Sequence, residues 1–142
     1  WDADFERKAL SWIAAMTGEH IPPDLPMYDA LKSGVLLCRA VNKIRPNLIQ
    51  NIGTKALGMV ERENISQYLL ACQKLGMQQS DLFTISDLHD RRYLPGVLHN
   101  VMALAKVAES MSNMGMMPKT PRTTAAVSRA REVVERKLLC VQ

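Results

Sequence analysis

The stretch Leu31-Lys32-Ser33-Gly34-Val35-Leu36-Leu37-Cys38-Arg39-Ala40-Val41-Asn42-Lys43-Ile44-Arg45-Pro46 decides the fold. A glycine opens an apolar run and a proline closes it. Leu36 and Leu37, Ala40 and Val41, then Ile44 recur one helical turn apart. Lys32, Arg39 and Lys43 take the other side. The spacing predicts a helix over 33–44, buried along one face, with no catalytic group in it. Gly34 permits close backbone approach at the helix start. Leu37 belongs to the apolar side. Asn42, near the end, is suited to satisfying local carbonyls or to a left-handed turn.

Working outward, the same 3.6-residue period recurs. Residues 3–17 place Phe5, Ala9, Trp12, Ile13 and Met16 on one side, and Gly18 can stop that helix. Trp12 offers a large surface to bury and one N–H that needs a partner, so the long helices are expected to close around it. Pro22, Pro23 and Pro26 interrupt helix formation, and residues 27–32 allow a short turn of helix. The loop 45–58 is punctuated by Pro46, Gly53 and Gly58. A third long helix is expected over 60–75, with Ile65, Leu69, Cys72 and Leu75 on its apolar face, widened by Tyr68 and Leu70, and Gly76 at its end. Asn64 can tie it to the preceding loop. Ser80-Asp81-Leu82-Phe83 and Asp87-Leu88-His89-Asp90 read as short capped turns, with Asp87 as a cap. A fourth long helix is expected over 93–109, with Pro95 in its first turn. The expectation is an all-α, compact bundle of four long helices plus two or three short ones over residues 1–110. A linker over 111–124, containing Gly115, Pro118 and Pro121, and a basic amphipathic helix over 125–142 follow. In that last segment Val127, Ala130, Val134, Leu138 and Val141 step by three or four.

Charge is segregated along the chain. Residues 1–110 hold 12 basic and 12 acidic side chains, whereas residues 111–142 hold 6 basic and 2 acidic. The globular part therefore lacks the electrostatic footprint of a nucleic-acid binder. Cys38, Cys72 and Cys140 are odd in number and far apart, which fits free thiols in a reducing, cytoplasmic setting better than disulfides or a metal site. His20, His89 and His99 lack ligand spacing. No apolar run reaches the ~20 residues of a membrane span. Trp1 in place of a methionine suggests a fragment. The glycines are scattered singly, so no phosphate-cradling loop is present and no cofactor is expected. His89 with Asp87 and Asp90 is the one conceivable acid–base cluster. A polar group at a helix end explains it better, because no nucleophile accompanies it. These features point away from an enzyme.

Four pieces, in order, resemble the calponin homology family. They are Ala9-Leu10-Ser11-Trp12-Ile13 with Thr17-Gly18, the run Lys32–Pro46, Glu63-Asn64-Ile65-Ser66-Gln67-Tyr68-Leu69 with Ala71-Cys72 and Leu75-Gly76-Met77, and Asp81-Leu82-Phe83 with Asp87-Leu88, Val97-Leu98 and Ala103-Leu104. Thr17-Gly18-Glu19, Leu37-Cys38-Arg39 and Glu63-Asn64-Ile65-Ser66 look most like the single-domain calponin and transgelin type. Ser33 departs from the family pattern, where an acidic residue or Asn is usual. So do Leu57-Gly58, where an aromatic often stands. Trp12, Gly34, Leu37, Asn42, Asn64, Phe83 and Asp87 read as architecture.

The resemblance implies a non-enzymatic module of the cytoskeleton, with actin filaments or an actin-associated protein as partner. Arg7, Lys8, Arg91, Arg92, Tyr93 and Lys106 are then the candidate contact residues, since an acidic partner favours exposed basic and aromatic groups. Two other readings use the same features. In one, the domain regulates a larger signalling protein such as a Rho-family exchange factor or scaffold, masking a segment of its own chain. In the other, the basic tail meets tubulin, although the first-helix and Leu-Cys-Arg motifs speak against it. Lys119-Thr120-Pro121-Arg122 is a minimal proline-directed phosphorylation site. The spacing Val127, Val134, Val141 would allow helix pairing, with Lys137 interrupting the seam, and packing of this segment back onto the domain is an equal alternative.

Overall fold

A computed structural model describes residues 2–113, and these contain helices and no strand. Helix α1 is Ala3–Thr17, α2 Met27–Leu31, α3 Val35–Ile44, α4 Gly58–Lys74, α5 Ile85–His89 and α6 Leu94–Asn113, with a 3₁₀ turn at Gln79–Asp81 between α4 and α5. The expected linker and C-terminal helix lie outside the described residues, apart from 111–113. Those three residues continue α6, because no glycine or proline stands between Val97 and Asn113. Helix α3 packs on α4 and α1, α1 on α6, and α5 bridges α4 and α6 while α2 lies against α3 and α5.

Local chemistry explains the helix ends. The Asp2 carboxylate accepts from the backbone N–H groups of Asp4 and Phe5 at 3.0 and 3.2 Å, and Asp4 and Glu6 add favourable charge in the first turn. Gly18 closes α1 in the left-handed region. Helix α5 begins at Ile85, two residues before Asp87, so Asp87 is not the cap itself. Thr84 is, and Asp87 completes a capping box with it: Asp87 N–H donates to Thr84 Oγ1 at 3.2 Å and Thr84 N–H to Asp87 Oδ2 at 2.9 Å.

Helices α3 and α4 approach closely at Gly34. Gly34 has φ +75°, and a Cβ there would lie 2.7 Å from Asn64 Cβ and 3.1 Å from the Ile65 backbone nitrogen. Buried Asn64 holds the same place from the other side. Its Nδ2 donates to the carbonyls of Ser33 and Gly53 at 2.9 and 2.8 Å, and its Oδ1 accepts from Gly53 N–H at 3.0 Å. Asn42 satisfies a carbonyl, as its position at the helix end indicated. It pairs reciprocally with Ile49, Nδ2 to O and N–H to Oδ1, both at 2.9 Å, and anchors the loop after α3.

The core is centred elsewhere than expected. Trp12 is only half-buried and packs at the edge. The largest fully buried side chain is Tyr68, whose ring lies 6.2 Å from that of Phe83. Its hydroxyl donates to Asn100 Oδ1 at 2.6 Å, and Asn100 Nδ2 passes on to the Asp81 carbonyl at 2.8 Å. A buried phenol is tolerated because this chain satisfies its polar end. Leu37 is completely buried. Leu70 is 54% exposed. At ~100° per residue it stands about 200° around α4 from Tyr68, on the far side of the helix.

Candidate partner-binding surface

Helix α2 is one and a half turns long, and its side chains at i and i+4 share a face. Tyr28 and Lys32 are such a pair. Tyr28 reaches across to α5, where its hydroxyl donates to the His89 carbonyl at 2.9 Å. The chain then turns sharply. Arg91 sits in the left-handed region with φ +57°. The N–H groups of Arg91, Arg92 and Tyr93 donate back to the carbonyls of Leu88, Ser86 and Asp87 at 3.2–3.3 Å. This turn lays the Arg91 guanidinium over the Tyr28 ring, 3.8 Å from its centroid, while Lys32 Nζ lies 5.8 Å from the same centroid. A cation over a ring face is held by the ring's quadrupole, and a guanidinium so held keeps N–H groups to donate. Neither cation has a carboxylate partner among the described residues. Arg92 and Tyr93 are exposed beside them. The Tyr93 ring rests over Gly96, where a Cβ would come within 2.9 Å of it.

An ionic cluster joins α4 to α5 behind this corner. Arg62 Nε donates to His89 Nδ1 at 3.3 Å, and His89 Nε2 faces Glu61 Oε1 at 3.2 Å. A guanidinium N–H can only donate, so Nδ1 is the acceptor and the ring proton stands on Nε2, toward Glu61. Arg62 Nη2 also meets Asp90 Oδ1 at 3.4 Å. The cluster thus spends Arg62 on Asp90 and on the ring, and leaves Lys32, Arg91 and Arg92 as the positive excess. His89 meets Glu61 and Arg62, not Asp87, whose carboxylate is held in the capping box. Both ring nitrogens are taken by structural contacts. Exposed Leu57 and Met59 flank the cluster at the start of α4, next to Gly58, where a Cβ would lie 3.9 Å from His89 Cε1.

The six expected contact residues separate. Arg91, Arg92 and Tyr93 meet at this corner. Lys106 is exposed but stands about 18 Å farther along α6 than Leu94, at 1.5 Å per residue. Arg7 is exposed on α1 and borders a different groove. Lys8 is 9% exposed, so the expectation of an accessible Lys8 fails; long cationic side chains can bury their alkyl stems. Tyr28 and Lys32 were missed from sequence. Their i, i+4 spacing was visible, but their meeting with Arg91, some 60 residues away, was not.

Cys38 and Cys72 take no part. Cys38 Sγ donates to the Asn64 carbonyl at 3.2 Å. Burial pushes its thiol up to about 12, with Cys72 adding to the effect. Burial raises Cys72 to about 11 against the lowering influence of hydrogen bonds with Tyr68 and Asn100. Both stay protonated and inert at neutral pH. Among the described residues no group of three His, Cys, Asp or Glu could hold a metal ion, and no helix is long and apolar enough to cross a membrane.

Comparison with known proteins fits this architecture. The family model of the calponin homology domain matches residues 4–110. The chain belongs to the calponin homology domain family. This calponin homology domain is 34% identical over 111 residues to Rac guanine nucleotide exchange factor B of Dictyostelium discoideum, a match that covers 78% of the chain and 9% of that protein. It is 34% identical over 110 residues to myophilin of Echinococcus granulosus, covering 77% of the chain and 58% of that protein. The chain therefore spans less than two thirds of either relative. The calponin homology domain of an IQGAP protein from Schizosaccharomyces pombe shares the fold, with a TM-score of 0.65 at 21% identity over 91% of this chain and 89% of that one. The family is one of non-enzymatic binding modules, found in cytoskeleton-linked and signalling proteins.

Proposed function

We propose that this domain binds actin filaments, directly or beside an actin-associated protein, and works at the cytoskeleton in the cytoplasm. The observation that carries the reading is the pair of cations, Lys32 and Arg91, gathered on the Tyr28 ring with Arg92 and Tyr93 alongside. Two cations held by an aromatic platform suit the carboxylate side chains of an acidic filament surface. Binding of this kind is screened over ~10 Å at 0.1 M salt, and the domain has no net charge to steer it. The interaction is therefore weak and salt-sensitive. The test is co-sedimentation of the full chain with filamentous actin over a salt series. Pelleting at low salt that declines as salt rises is expected. No pelleting at any salt refutes the proposal, and pelleting with microtubules alone transfers it to tubulin.

A second reading has its own support. The match to a Rac exchange factor, of which the chain spans only 9%, favours a regulatory module within a longer signalling protein. Deleting the domain from such a protein then changes its exchange activity. Unchanged activity removes this reading.

A further inference from the structure

A groove of about 370 Å³ runs between α1 and the proline-rich loop that precedes α2. Leu10 and Ala14 form one wall, and Ile21 and Leu25 the other. Glu6 and Asp24 stand on its sides with Arg7 as the opposing charge. Exposed Asp2 and Asp4 add negative charge at the start of α1, outside the groove's lining. A backbone turn, Leu25 N–H to the Pro22 carbonyl at 3.1 Å, and the bond from Met27 N–H to Glu6 Oε1 at 2.7 Å hold the loop against the helix. The groove is thus a built feature of the fold, with apolar walls and with two carboxylates, Glu6 and Asp24, against one guanidinium in its lining.

The chain carries a segment of matching chemistry. Residues 2–31 hold six acidic and two basic side chains, a net charge of −4, whereas residues 114–142 hold six basic and two acidic, a net charge of +4. Over 125–142 the apolar residues Val127, Ala130, Val134, Leu138 and Val141 recur at helical spacing, with Arg129, Arg131, Arg136 and Lys137 among them. An amphipathic helix of this length is marginal in water by itself, so its apolar stripe needs a surface. The connection is long enough. Residues 114–124 can span roughly 36 Å at 3.3 Å each, more than twice the ~13 Å radius of gyration of a domain this size. They leave from α6, which packs on α1.

We infer that residues 125–142 dock in the groove between α1 and residues 21–26 of the same chain, apolar stripe inward and arginines toward the carboxylates of Glu6 and Asp24. The contact is a helix-in-groove association, made intramolecular by the linker. It covers Arg7 and neutralises the tail, so the positive surface left for a partner is the corner at Tyr28.

Cys140 provides the test, because Cys38 and Cys72 are buried and a nitroxide reagent applied to the folded chain attaches at Cys140. In the full ¹⁵N-labelled chain at low salt, the amides of Leu10, Ala14, Ile21 and Leu25 are expected to lose most of their intensity, while those of Leu57 and Met59 keep theirs. High salt, or the combined change Arg129→Glu, Arg131→Glu and Arg136→Glu, restores the lost signals without altering the domain. Uniform broadening, or broadening centred on another face, overturns the inference. So does broadening that persists when spin-labelled ¹⁴N chain is mixed with ¹⁵N chain carrying no spin label, since the occupant is then a second copy.

Discussion

Replacing Gly34 by alanine tests the packing that organises this domain. Two costs combine at this position. The first is backbone conformation: φ is +75°, where an L side chain costs roughly 1–2 kcal/mol. The second is space. The new Cβ lies 2.7 Å from Asn64 Cβ and 3.1 Å from the Ile65 nitrogen. Neither is the far end of a flexible side chain, so α3 and α4 must separate, and overpacking of this kind costs about 1–3 kcal/mol. Gly18 is the internal control. Its φ is +73° and nothing lies within 4 Å of the point a Cβ would occupy, so Gly18→Ala incurs the first cost only. Urea unfolding, extrapolated linearly to water, should show Gly18→Ala down by about 1–2 kcal/mol and Gly34→Ala by about 2–5 kcal/mol. Asn64 would be displaced as well, so hydrogen exchange at Gly53, whose N–H it accepts, should quicken in Gly34→Ala alone. Equal destabilisation by the two substitutions refutes the claim that close helix approach, rather than backbone sign, selects glycine at 34.

Three further outcomes follow from the interior. Tyr68→Phe strips the buried Asn100 Oδ1 of its 2.6 Å donor and should cost about 1–3 kcal/mol in thermal or urea unfolding; a neutral result means the phenol contributes only its ring. Asn64→Ala removes three hydrogen bonds at a buried site and should cost more than Tyr68→Phe, by the same assay. Cys38 and Cys72 are raised from 9.0 to about 12 and about 11, so the folded state holds their protons more tightly than the unfolded one. Their contribution is complete below pH 9.0 and is lost as pH climbs toward 11–12. Unfolding at graded alkaline pH should show stability falling through that window, less steeply in Cys38→Ala. A stability that is flat there contradicts the assignment.

Much of this fold is written in local pattern. The run after Gly34 repeats its apolar residues every turn because one face of α3 is buried. Asn42 and Asn64 stood out as polar residues where a helix meets a loop. Those are short-range signals. Trp12 was misjudged because size alone does not fix depth: it sits on the margin of α1's apolar face, and Tyr68 takes the centre because Asn100 and Asp81 complete its hydrogen bonding from 32 and 13 residues away. Lys8 was misjudged for the converse reason, since a charged head says little about where its alkyl stem lies. The proposed partner surface was half legible. Arg91-Arg92-Tyr93 is a visible cluster, but the Tyr28 platform that orients Arg91, and the Lys32 that joins it, come from α2 and its C-terminal edge. Only tertiary structure brings them together.

The central claim is that this domain acts through the Tyr28 corner of its outer surface. The direct measurement is the affinity of the full chain for filamentous actin at low salt, beside the Lys32→Ala/Arg91→Ala double variant and Lys106→Ala, each confirmed to unfold with the wild-type midpoint. The account predicts that the double variant loses binding at least tenfold, roughly 1.4 kcal/mol, while Lys106→Ala stays within twofold, roughly 0.4 kcal/mol. Equal binding by the double variant and the wild type contradicts it.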